Sequence, residues 1–163
     1  MFCRLARISC AVSAGFAVVF GGGCVAIPMP GPKRAGTVVY TPASWPEKLE
    51  ADVYRPKNAR PAPAVLLVHG GGLRGGGSRW VMNGIAAKLV KRGYVVMNVT
   101  YRSIPAYQYP AAVKDLQQAL KWMRTHADEY GIDKKRIATF GYSAGGYLGA
   151  LVALQGGPGN APR

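Results

Sequence analysis

Residues 136–146, RIATFGYSAGG, decide the fold. The first six are an apolar-leaning run closed by glycine, which predicts a strand buried on both faces, and the small apolar residues over 144–154 predict a helix directly behind it. A strand that becomes a helix so abruptly leaves little room. Gly141 and Gly145 stand at both second neighbours of Ser143, where a side chain would strike the adjacent backbone. Such a turn lifts the Ser143 hydroxyl above the sheet edge and aims the first amides of the helix, Ala144 N–H among them, at whatever oxygen sits beside it. Ser143 is therefore the candidate nucleophile and Ala144 a candidate donor to an oxyanion.

Working back toward the N-terminus, residues 64–68 (AVLLV), bounded by Pro63 and Gly70, form another continuous apolar run of the kind found in parallel sheets. His69-Gly70-Gly71-Gly72 follows it at once, a loop almost free of side chains whose N–H groups can approach a carbonyl oxygen closely. Residues 80–92 place Ile85, Leu89 and Val90 on one helical face, and residues 94–99 (YVVMNV) read as a third buried strand. Pro110 opens a long helix to about Tyr130, with Ala112, Leu116, Ala119, Leu120, Met123 and Ala127 at spacings of three and four. Residues 37–40 and 49–54, separated by Pro42 and Pro46, predict an opening hairpin. Alternation of strand and helix implies right-handed crossovers and the α/β class, a mostly parallel sheet with helices on both faces.

At these residues the sequence resembles the α/β-hydrolase superfamily, within it the hormone-sensitive-lipase-like and BD-FAE-like esterases and lipases. The likeness runs over about 49–154 and includes Asp52-Val53-Tyr54-Arg55-Pro56, the HGGG loop, Tyr101-Arg102, Tyr109-Pro110-Ala111 at a helix start, and Tyr130-Gly131-Ile132-Asp133 before the serine strand. It implies an α/β-hydrolase fold, Ser143 as nucleophile, and an oxyanion hole made by the amides of Gly71, Gly72 and Ala144. His69, Gly70, Gly141 and Gly145 would support the loop and the turn. It also implies short acyl ester substrates, small or linked to a polysaccharide, in a carboxylic ester hydrolase.

The resemblance also implies an order of serine, then acid, then histidine. After Ser143 the chain holds no Asp, Glu or His, so the domain reads as partial, stopping after the serine turn and its helix. His126 falls at the far end of the long helix, hence at the opposite end of the sheet from Ser143, and His69 begins the oxyanion loop, which it orders in the family. Asp115 and Asp133 read as helix-start and turn residues. Tyr101 and Arg102 read either as a wall of the site or as a structural anchor. A serine without a base is a weak nucleophile, so these residues alone are expected to be nearly inert. The serine strand is expected to be left as a long apolar edge. The alternative is a non-catalytic envelope lipoprotein that keeps the loop geometry as a binding module.

Arg4 and Arg7 precede an apolar run over 8–20 that is shorter than a membrane-spanning helix, so residues 1–26 read as a secretory signal. Gly21-Gly22-Gly23-Cys24 resembles a lipoprotein signal with Cys24 as the lipidated residue, although Gly21 stands where an aliphatic side chain is usual, and cleavage after Ala26 is the other reading. Either way the expected location is outside the cytoplasm: the periplasm, a lipid-anchored form, or the medium. Cys3 and Cys10 lie in the signal, which rules out an internal disulfide in the mature chain. Residues 27–36, rich in Pro and Gly, read as a linker, and 37–163 as the domain. The 163 residues suffice for one domain, and 49% hydrophobic against 17% charged excludes a disordered chain. The 21 Lys and Arg against 7 Asp and Glu give +14, but they are scattered and lack interleaved aromatics, so no nucleic acid partner is expected and any membrane contact is through the lipid. No phosphate loop, haem motif or metal spacing is present, and no cofactor or metal is expected.

Overall fold

The computed structural model describes residues 17–20, 23–26, 34–57, 61–75 and 78–155. The chain divides into two units, Met1–Pro30 and Gly31–Arg163. In the first, β1 (Ala17–Phe20) pairs antiparallel with β2 (Gly23–Ala26), Cys24 opposite Val19. The remainder of the expected signal and most of the linker lie outside the described residues.

The second unit holds a five-stranded sheet in the order β3-β4-β6-β5-β7, made of Arg34–Val39, Glu50–Tyr54, Val95–Val99, Ala62–Val68 and Ile132–Gly141 in that order. β3–β4 and β4–β6 are antiparallel, while β6, β5 and β7 run parallel. The expected opening hairpin is present, but β3 starts at Arg34, inside the expected linker. The reason is its pairing: Arg34 lies opposite Tyr54 across a bulge, and its guanidinium reaches Asp52 at 3.1 Å.

From β5 the chain crosses through the turn Arg79–Met82 and helix α1 (Asn83–Lys91) to β6 on one side. It then returns through α2 (Ala111–Thr125) and α3 (Ala127–Tyr130) to β7 on the other side of β5. Two right-handed crossovers running in opposite directions must put their helices on opposite faces. The core divides accordingly. One layer joins Leu66, Val68, Met97 and Val99 to Leu116, Met123 of α2 and Leu148, Val152 of α4 (Ala144–Leu154), and the other joins Tyr54, Leu67 and Val96 to Met82 and Ala86.

Other element boundaries differ from the sequence reading as well: α1 starts at Asn83 rather than at 80, β5 at Ala62 rather than at 64, and two more differences have a clear cause. The long helix breaks at His126, whose N–H and ring Nδ1 both converge on the Trp122 carbonyl, at 3.0 Å each, while the ring stacks on the Trp122 indole. Gly131, at φ 68°, then ends α3. β7 begins at Ile132 rather than at 136, because Ile132 already pairs with Ala62; residues 133–136 then bulge out of the ladder, which resumes with Ile137 opposite Ala64, and Lys134, Lys135 and Arg136 are exposed there. Among the described residues β7 is an edge, and residues 136–141 alternate between exposed and half-buried instead of being buried on both faces as the apolar run predicts. Its first half carries those charges, and its second half exposes Phe140 at 46%.

Candidate active site

In an open α/β sheet the crevice opens at the carboxyl ends of the strands where the strand order reverses. Here that point lies between β5 and β7, which pair in register with Val68 beside Gly141. His69 leaves the end of β5 and Ser143 leaves the end of β7, so the sheet itself brings the two motifs together.

The turn at Ser143 is tight in measurable ways. A Cβ on Gly141 would stand 2.6 Å from Gly146 N and closer still to the Gly145 carbonyl. One on Gly145 would stand 2.5 Å from His69 O, so α4 starts in backbone contact with the end of β5. One on Gly70 would meet Tyr142 O at 2.9 Å and Ser143 Cβ at 3.2 Å. Ser143 itself has φ 53° and ψ −122°, a backbone that a non-glycine residue adopts at a cost of about 1–3 kcal/mol. Although Ser143 occupies the N-cap of α4, its hydroxyl makes no capping hydrogen bond. The exposed Oγ is free of the usual duty of a capping serine.

Gly71 and Gly72 sit at φ 127° and 61°, a course that only glycine follows without strain. The loop is pinned by Arg74 N–H to Gly71 O at 3.1 Å and by Ile104 N–H to Leu73 O at 2.7 Å. Among the described residues, no acceptor holds the N–H of Gly71, Gly72 or Ala144. These are donors without a protein partner at the mouth of the crevice, and the Ala144 amide adds the positive end of a helix.

His69 is buried, with its Nδ1 2.6 Å from Gly70 O, its ring stacked on Tyr101 at 4.5 Å, and the Tyr101 hydroxyl donating to its carbonyl at 2.9 Å. Burial lowers its pKa from 6.5, against the raising effect of the Gly70 carbonyl, so the imidazole is neutral at pH 7 and engaged with its own loop. His126 is separated from Ser143 by the whole of β7, whose ends Ile132 and Gly141 lie opposite Ala62 and Val68, roughly 20 Å apart. Asp133 lies within β7, in its bulge rather than in a separate turn, where its carboxylate accepts Lys135 N–H at 2.9 Å and Arg136 Nε at 2.7 Å.

Asp115 is not a helix-start residue. It is fully buried in the second turn of α2, where it takes Arg102 Nη2 at 2.6 Å, Arg102 backbone N–H at 2.9 Å and Trp45 Nε1 at 2.8 Å. Arg102 is thereby held as an anchor, between the rings of Trp45 and Tyr107 at 5.6 and 5.0 Å. It also forms one wall of a largely apolar cavity of about 230 Å³ with Leu73, Tyr107, Tyr109, Tyr147 and Leu148. Leu73 follows the glycine loop and Tyr147 lies one helical turn past Ser143, so the cavity opens beside the serine. In the sequence Tyr101-Arg102 reads as either a wall or an anchor, and Arg102 is both; nothing in the sequence marks Asp115 as its buried partner, and nothing local to Trp45 or Tyr147 marks them. Among the described residues no cluster of side chains could hold a metal ion, and no helix is long and apolar enough to cross a membrane.

The BD-FAE family matches residues 51–160. Among curated proteins, Esterase LipI of Mycobacterium tuberculosis is 35% identical over 127 residues, covering 76% of this chain and 36% of that protein. Esterase LipC of the same organism is 34% identical over 105 residues, 63% of this chain and 26% of that one. Among solved structures, the metagenomic carboxylesterase EstE1 superposes with a TM-score of 0.69 at 43% identity, covering 78% of this chain and 43% of its own. The butyrate-bound esterase Est2 of Thermogutta terrifontis gives 0.65 at 30% identity, covering 74% and 44%. The chain thus spans about a quarter to a third of the length of these curated relatives and less than half of the solved ones.

Proposed function

Because the chain belongs to the BD-FAE family of α/β-hydrolase esterases, we propose that it carries the nucleophile and oxyanion half of a carboxylic ester hydrolase acting on short acyl esters. The observation that carries this reading is the uncapped, exposed Ser143 hydroxyl at a strained turn in contact with a glycine loop whose amides lack protein acceptors. On this reading Ser143 Oγ attacks the ester carbonyl, and the N–H groups of Gly71, Gly72 and Ala144 receive the negative charge that develops on the carbonyl oxygen. The acyl group enters the cavity lined by Leu73, Tyr147 and Leu148. Its volume of about 230 Å³ falls below the roughly 300–1,000 Å³ of sites for drug-sized ligands, which favours short chains.

Attack also requires a base to take the serine proton. The chain has two histidines, one tied to its own loop and one at the far end of the sheet. The base and its carboxylate partner are therefore assigned to a segment beyond these residues, in the same polypeptide or a second one. Export fits the same reading, with residues 1–26 as the address and Cys24 as a lipid attachment point. Protein purified from its native host should hydrolyse p-nitrophenyl acetate and lose that activity in Ser143→Ala. The 163-residue chain alone should fall short of it by about a millionfold. Host activity that survives Ser143→Ala would overturn the assignment.

A further inference from the structure

A second cavity, of about 650 Å³, lies away from Ser143 on the α1 face of the antiparallel end of the sheet, between β3–β4 and the turn Arg79–Met82. β4 and β7 are three strand spacings apart, roughly 14 Å, so this cavity is distinct from the crevice at the serine.

Its charges cancel. Arg79 Nε lies 3.2 Å from Asp52 Oδ2, its Nη2 lies 3.2 Å from Glu50 Oε2, and Arg34 Nη1 lies 3.1 Å from Asp52 Oδ1. Two guanidiniums against two carboxylates make a neutral lining in a chain of formal charge +14. An anion entering here would meet Glu50 and Asp52, and a cation would meet the two arginines. A neutral ligand whose groups both donate and accept meets neither penalty. The pairs set N–H donors and carboxylate lone pairs side by side, with Asp52 and Arg79 at the base and Arg34 and Glu50 exposed at the rim, an arrangement that suits adjacent hydroxyls.

Trp80 supplies the other requirement. It lines the same cavity and is 65% exposed, a flat apolar face standing in solvent on a short turn. That turn is fixed from beneath, because Asn98, fully buried in β6, donates from Nδ2 to Arg79 O at 2.8 Å. Asn98 Oδ1 has no partner among the described residues. A sugar ring is apolar on its C–H face and hydroxylated at its rim, and is neutral, which matches an indole shelf beside a charge-balanced polar wall.

We propose that this cavity binds a neutral saccharide unit, with Trp80 stacked on the ring and Arg79, Glu50 and Asp52 taking the hydroxyls. The site does not depend on the reaction proposed for Ser143. The test is titration of the 163-residue chain with xylotriose, cellotriose and mannotriose, followed by tryptophan fluorescence and calorimetry. At least one trisaccharide should bind, with an affinity unchanged between about 0.1 and 1 M salt. Trp80→Ala, a change at an exposed position, should weaken binding by about tenfold or more. Glu50→Gln should weaken it as well, and Ser143→Ala should leave it intact. Failure of all three sugars to bind, binding that survives Trp80→Ala, or binding abolished by salt would each overturn the proposal. None of these outcomes bears on the ester hydrolase reading.

Discussion

Replacing Gly145 by alanine puts one methyl group at the point where the serine turn rests on the neighbouring strand. The new Cβ would lie 2.5 Å from His69 O and 2.8 Å from Val68 C, whereas ordinary contact begins at 3.4 Å, so α4 must retreat by about 1 Å. The opposing atoms are backbone of a central strand, which cannot rotate aside. The cost therefore sits near the top of the range for overpacking, about 3 kcal/mol, and the better helix propensity of alanine returns up to about 1. A net loss of about 2 kcal/mol should lower the thermal midpoint by roughly 6–10 °C in a domain of this size. Gly84→Ala in α1 is the control, since an added Cβ there meets nothing within 4 Å and should stabilise by about 0.5–1 kcal/mol. Circular dichroism melts and urea titrations of the two variants, side by side, measure both effects. Equal stabilities would refute the claim that backbone contact, rather than helix propensity, dictates glycine at 145. In the active enzyme the same shift should cost about a hundredfold in turnover, because it separates Ser143 from the loop at 69–72.

Ser143→Gly should raise stability by about 1 kcal/mol by relieving the backbone at φ 53°, while Ser143→Ala keeps the strain and should stay within about 0.5 kcal/mol of the parent; urea titration distinguishes them. Asp115→Ala strands the buried Arg102 guanidinium and the Trp45 indole N–H and should cost about 3–5 kcal/mol, whereas the double change Arg102→Met, Asp115→Leu should cost clearly less in the same denaturation assay. Because burial holds His69 below 6.5, the unfolded chain takes up that proton first on acidification. Its contribution to stability is complete above pH 6.5 and is lost as the pH falls below it toward the lowered folded value, a slope that His69→Gln should flatten in denaturation curves.

The serine turn was legible because its constraints are local. Glycines at 141 and 145 reflect contacts between residues a few places apart or on the adjoining strand, and the apolar runs at 64–68 and 94–99 state burial on both faces directly. The helix break at His126 was not legible, because the helical spacing of apolar residues continues through it to Ala127. What ends the helix is a side chain competing for the Trp122 carbonyl. The start of β7 was missed for a different reason. Charged residues at 133–136 resemble a turn and do bulge out of the ladder, but Ile132 ahead of them already pairs with Ala62, and such a pairing across 70 residues leaves no local trace. The cluster of Trp45, Arg102 and Asp115 joins positions 70 and 13 residues apart in sequence, and no periodicity records such a pairing.

The part of the chemistry assigned to this chain is made almost entirely of main chain. Apart from the Ser143 hydroxyl, the proposed donors are amides, and their positions follow from the register that sets Val68 beside Gly141. A slip of one residue would move the loop by about 3.3 Å relative to the serine and exchange the side chains that β5 gives to its two core layers. Register is thus defended by the core that also holds the strained turn closed, and stability and geometry are one requirement over residues 62–146. Proton transfer is a separate requirement, because it needs a side chain of suitable pKa within hydrogen-bond reach, and neither histidine offers one. The oxyanion half can consequently be formed in full while turnover stays low, with roughly 10³ to 10⁴ over water as the contribution expected of that half alone.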